Sequence, residues 1–148
     1  MLRVFGGIFL GFLAMNVIVF AGLTAVYLAM GTDRAFEPES YSPSVLWLVC
    51  HFVVAILAAV AGGYVTKWVG RKREAIVGLV LIVLLFSGVT IAAELFAEKP
   101  DPGQRTGDVS NIDAMDNAKT PLWVSLLLPV IGAGGAVVGG RLRKTPPI

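Results

Sequence analysis

Three polar side chains interrupt otherwise apolar stretches of this 148-residue chain: Asn16, His51 and Glu94. An imidazole and a carboxylate at matching membrane depth can pass a proton or hold a cation, and an ionisable residue inside a bilayer is a functional candidate by default. At about 1.5 Å per helical residue, His51 lies roughly 9 Å from the start of its stretch and Glu94 roughly 5 Å from the end of its own. The two stretches run in opposite directions, so the two residues reach similar depth. Beside the relay stands a structural reading, in which a neighbouring hydroxyl or carbonyl satisfies His51 and Glu94 reaches interfacial water. Asn16, near the middle of the first stretch, is expected to hydrogen-bond across to another helix, with Ser87 and Thr90 as partners. Such a contact contributes about 0.6–2 kcal/mol.

No further chemistry assembles. The sequence has no Gly-x-Gly-x-x-Gly, no P-loop, no His-Glu-x-x-His and no Cys-x-x-Cys, and it holds one cysteine, Cys50, and one histidine. An intramolecular disulfide is excluded, and one histidine with one cysteine argues against a zinc site of ordinary spacing. No loop exceeds about 23 residues, too few for a soluble catalytic domain, and no nucleic-acid-binding module is present. The expectation is therefore no enzyme, no cofactor, no metal and no nucleic acid.

Small residues give the most frequent signal. Gly7 and Gly11, Ala58 and Gly62, Ala59 and Gly63, Gly132 and Ala136, and Gly135 and Gly139 all stand four apart. In lipid no hydrophobic force draws helices together, so close backbone approach through such faces is a main source of packing. These faces serve either packing within the chain or docking to a partner.

The elements that must carry these residues follow from composition. Apolar residues make up 56% of the chain and charged residues 15%, below the roughly 25% of soluble domains, so most of the surface must face something other than water. Four apolar stretches, about 4–30, 45–69, 75–97 and 121–140, each reach the length that a hydrocarbon core of roughly 30 Å requires. The first exceeds a signal-peptide core and reads as an uncleaved anchor. Pro129 is expected to kink the fourth. The expected fold is an all-α membrane protein, a four-transmembrane-helix bundle forming one domain over 1–148, with outer loops at 31–44 and 98–120. The second loop reads as solvated and partly disordered, and its Asp108, Asp113 and Asp116 fit no EF-hand spacing.

Orientation follows from the basic residues. One side collects Arg3, Lys67, Arg71, Lys72, Arg73, Arg141, Arg143 and Lys144; the other has Arg34, Lys99, Arg105 and Lys119 among eight acids. Eight basic residues against four place both termini in the cytoplasm by the positive-inside rule. The cytoplasmic cluster of Arg71, Lys72, Arg73, Arg141, Arg143 and Lys144 attracts anionic headgroups and needs no other function.

The second and fourth spans also resemble each other. Ala61 to Lys72 and Ala133 to Lys144 agree, without gaps, at Ala, Gly, Gly, Val, Arg and Lys, and Ser42-Pro43 with Trp47 parallels Thr120-Pro121 with Trp123. Two helical hairpins in parallel repeat would give this pattern. Chance likeness between apolar helices would give it as well.

The run Ala61-Gly62-Gly63-Tyr64-Val65-Thr66, the closing Gly70-Arg71-Lys72-Arg73, Pro121-Leu122-Trp123 and Gly139-Gly140-Arg141 resemble a group of small, uncharacterised bacterial four-span membrane proteins. The resemblance covers the second half best. It implies four spans in a bacterial inner membrane and brings no activity or ligand. The reading that results is a non-enzymatic accessory or scaffold subunit, packed through glycine-rich faces against a membrane-protein partner or a second copy. The alternative is a small oligomeric transporter or channel with a polar path through Asn16, His51 and Glu94.

Overall fold

The computed structural model describes residues 1–96 and 107–143. Four long, predominantly apolar runs become long helices, and two short polar segments add short ones. They are α1 (Leu2–Met30), α2 (Thr32–Ala35), α3 (Val45–Gly70), α4 (Arg73–Phe96), α5 (Asn111–Asn117) and α6 (Leu122–Leu142). Ser44 caps α3, its hydroxyl accepting from the Trp47 amide at 3.1 Å. Arg71 ends α3 in the left-handed region at φ 57°, and its N–H returns to the Lys67 carbonyl, so the chain turns directly into α4. Helix α6 continues through Pro129 as one element.

Helices α1, α3, α4 and α6 are long and apolar enough to cross a membrane, and fewer than a quarter of the residues in each apolar stretch are buried. This is a multi-pass membrane protein whose helices meet lipid. The four form a ring in the order α1, α3, α6, α4, with α3 packed chiefly on α1 and α6. Neighbours α1 and α3 are antiparallel, whereas α3 and α6 run side by side in the same direction. Leu79, Val83 and Ala136 form the centre of the core, with Phe12, Met15 and Val80 packed around them. Consecutive spans α3 and α4 share a short turn yet sit across the ring, with much less contact than either makes with α6.

One end carries Arg3, Arg71, Lys72, Arg73, Arg141 and Arg143, and is called the basic end. At the opposite end the connections fold into a cap. Phe36 and Pro43 pair as an isolated bridge, and the Ser44 amide donates to the Ala35 carbonyl at 2.9 Å. Tyr27, Ala35, Phe36 and Ala114 form a buried cluster, flanked by Tyr41, Trp47, Val109 and Ala118.

This cap corrects the expectation of a solvated, partly disordered second loop for its later part. Ser110 accepts from the Asp113 amide at 3.2 Å and donates to the Asp113 carboxylate at 2.6 Å, which starts α5. The Tyr27 hydroxyl then donates to the Val109 carbonyl at 2.7 Å and ties the segment to α1. Glu98, Lys99, Asp101, Arg105 and the last residue of the expected third span lie outside the described residues, as does Lys144.

The two hairpins pack unequally. Gly62, Thr66 and Gly70 are buried against α1, whereas their counterparts Gly134, Val138 and Leu142 on α6 are exposed.

Candidate functional site

The glycine faces decide how closely the helices approach. A Cβ on Gly7 would lie 2.7 Å from the Gly70 amide nitrogen and 2.8 Å from the Thr66 carbonyl oxygen, and one on Gly11 would lie 2.7 Å from the Gly62 carbonyl. Two glycines of α1 thus meet the Gly62, Thr66 and Gly70 face of α3 with backbone against backbone. On the other side of α3, Gly63 abuts the backbone of Ala136, Gly135 meets Ala59, and Gly139 meets the Val60 carbonyl. Ala58 is fully buried, and Gly132 faces Val83 of α4. All ten small residues singled out in the sequence therefore lie at contacts or buried positions within the chain. The Thr66 hydroxyl is buried at the α1–α3 crossing without a hydrogen-bond partner among the described residues.

The polar trio does not converge. Asn16 is exposed on the outside of α1, and its amide donates to the Phe12 carbonyl at 2.8 Å on its own helix. The expected bond to Ser87 or Thr90 is not made. Thr90 also turns back, donating to the carbonyls of Phe86 and Ser87 at 3.1 and 2.9 Å. Between α1 and α4 the contact is instead aromatic, with the Phe12 and Phe86 rings 5.0 Å apart.

His51 is half-buried beside the Trp47 and Phe52 rings, at centroid distances of 6.4 and 6.3 Å. Glu94 is exposed on α4. Among the described residues no hydrogen bond or ion pair joins the two. The ring order explains this, since α3 and α4 face each other across the bundle. Among the described residues, no group of three or more His, Cys, Asp or Glu side chains is placed to hold a metal ion.

The outward face of α1 carries the arrangement with most chemical consequence. Phe9, Leu13, Asn16 and Phe20 are all exposed, at spacings of four, three and four. This is a heptad-like stripe on one side of a helix, with an amide inside an apolar seam. Sequence reasoning directed Asn16 inward because a buried amide was the economical expectation; the 4-3-4 spacing of its neighbours was the signal available for the opposite face.

At the basic end, Lys67, Arg73, Arg141 and Arg143 surround a cavity of about 650 Å³ between α4 and α6. The Arg143 guanidinium donates to the Tyr64 hydroxyl at 3.0 Å and lies 5.6 Å over that ring. Lys67 donates to the Arg71 carbonyl at 3.2 Å. Comparison with protein-family models, with curated proteins and with solved structures finds no match.

Proposed function

We propose that this chain is a non-enzymatic accessory or scaffold subunit of the bacterial inner membrane, docked to a second membrane protein through the outward stripe of α1. The observation that carries this reading is Asn16. Its Nδ2 serves the Phe12 carbonyl, while its Oδ1 has no hydrogen-bond partner among the described residues. A polar group left unmet in hydrocarbon is costly, and a facing helix that offers a hydroxyl or amide removes that cost. One amide in an apolar seam also fixes the register of the pair.

Docking falls to α1 rather than to the glycine faces, because those are occupied within the bundle. The excess of Lys and Arg supports a cytoplasmic basic end with both termini there. The resemblance to small bacterial four-span proteins supports the inner-membrane setting. A transporter or channel would need a joined polar path, and Asn16, His51 and Glu94 stand apart on three helices facing different surroundings.

The test is isolation of the tagged chain from its native membrane in mild detergent, followed by native mass measurement, with Asn16→Leu in parallel. A stoichiometric membrane protein that accompanies the native chain and is lost with Asn16→Leu is the expected result. A partner-free homo-oligomer would favour the transporter reading, and a partner-free monomer would contradict both.

A further inference from the structure

The cavity at the basic end combines a cationic rim with an apolar wall. Its polar rim consists of Lys67 from α3, Arg73 from α4, and Arg141 and Arg143 at the end of α6. Among the described residues, no acidic residue lines it. Its wall is apolar, formed by Val77, Val80 and Leu81 of α4 and Val137 of α6. Val77 and Leu81 are 50% and 61% exposed, so the cavity opens sideways on the lipid-facing side of α4. Its inner limit is the close approach of Gly140 to Ile76, where a Cβ on residue 140 would lie 2.6 Å from the Ile76 side chain.

Two of the four cations are already engaged, Arg143 with Tyr64 and Lys67 with the Arg71 carbonyl. Arg73 and Arg141 make no hydrogen bond or ion pair with any described residue. A guanidinium fork matches phosphate oxygens in shape and charge. The volume of about 650 Å³ falls within the range of roughly 300–1,000 Å³ that small-molecule sites occupy.

We propose that this groove binds one anionic phospholipid, its phosphate held by Arg73 and Arg141 and an acyl chain laid along Val77, Val80 and Val137. A zwitterionic lipid offers the same tail but opposes the four cations with its own positive charge. A general basic surface would attract anionic lipid diffusely; the groove adds a single seat with a tail channel. The proposal is independent of how α1 docks.

The full chain, purified in mild detergent, would be offered an equimolar mixture of dioleoyl phosphatidylglycerol and dioleoyl phosphatidylcholine, and retained lipid counted by native mass spectrometry. One phosphatidylglycerol per chain, preferred by roughly tenfold or more, is the expected result. Arg73→Gln with Arg141→Gln removes the preference, whereas Arg3→Gln, which deletes a charge at the same end outside the groove, preserves it. Val77→Trp keeps every charge, fills the tail channel and lowers retention of both lipids; its lipid-facing position spares the bundle. Equal retention of the two lipids would overturn the proposal, as would equal loss of preference in the Arg3 variant or full retention in Val77→Trp. Displacement of the lipid by excess glycerol 3-phosphate would overturn it too, by assigning the cations to a soluble phosphate.

Discussion

The side-chain amide of Asn16 donates to the carbonyl oxygen of Phe12 at 2.8 Å, one turn back on the same helix. That bond keeps the amide on the outside of α1, where the exposed Phe9, Leu13 and Phe20 form the rest of one face. Short polar side chains satisfy themselves on a preceding turn when no neighbouring helix offers a better partner. The bundle can therefore spare Asn16. Asn16→Leu is expected to change unfolding of the isolated chain in detergent by no more than about 0.5 kcal/mol, as for a surface site. A loss of several times that size would show that the amide holds the bundle together.

The glycines divide into two classes with opposite predicted signs. Gly63→Ala drives a methyl into the Ala136 backbone, and Gly11→Ala drives one into the Gly62 carbonyl and Thr66. Each is expected to destabilise the bundle by about 1–3 kcal/mol, the usual cost of overpacking. Gly134 has open space around it, so Gly134→Ala should be neutral or gain up to about 1 kcal/mol from helix propensity. Unfolding by graded addition of sodium dodecyl sulfate measures all three.

The cap hangs on Tyr27. Its hydroxyl donates to the Val109 carbonyl and lies 3.0 Å from the Thr32 hydroxyl, while Asn111 reaches Thr24 at 3.1 Å. Tyr27→Phe removes the first two contacts and keeps the ring, at a cost of about 1 kcal/mol. Hydrogen exchange in residues 107–120 should accelerate while that of the four long helices stays unchanged.

No hydrogen bond or ion pair joins His51 and Glu94 among the described residues, so they are expected to be energetically independent. A double-mutant cycle of His51→Leu and Glu94→Gln should give a coupling within about 0.5 kcal/mol of zero, as for separated sites. A coupling of about 1 kcal/mol or more would restore the relay that their depth suggests.

The four spans were legible because each is a long apolar run whose ends carry Pro, Gly or Lys and Arg, and the observed helices match the expected ranges within about two residues, as such signals allow. The glycine pairs were legible as close-contact positions, though spacing alone does not separate contact within a chain from contact between chains. Depth along a helix is legible and direction around it much less so. His51 and Glu94 sit at similar depth, yet the ring order α1, α3, α6, α4 sets their helices across from one another. Likewise α5 was missed because Asn111–Asn117 is too short and polar to show periodicity, and its only local sign was Ser110 three residues before Asp113. The basic groove required the basic ends of α3 and α6 and the start of α4 to come together, which no single stretch of sequence encodes.

The central claim is that the Asn16 stripe of α1 is covered by another membrane protein. A photo-crosslinking residue placed at Leu13, inside the stripe, and separately at Leu85, on the exposed side of α4, tests this in native membranes. A discrete protein adduct from position 13 that is absent from position 85 and abolished by Asn16→Leu is the predicted result. Lipid adducts alone at both positions would contradict it, leaving α1 an ordinary lipid-facing helix.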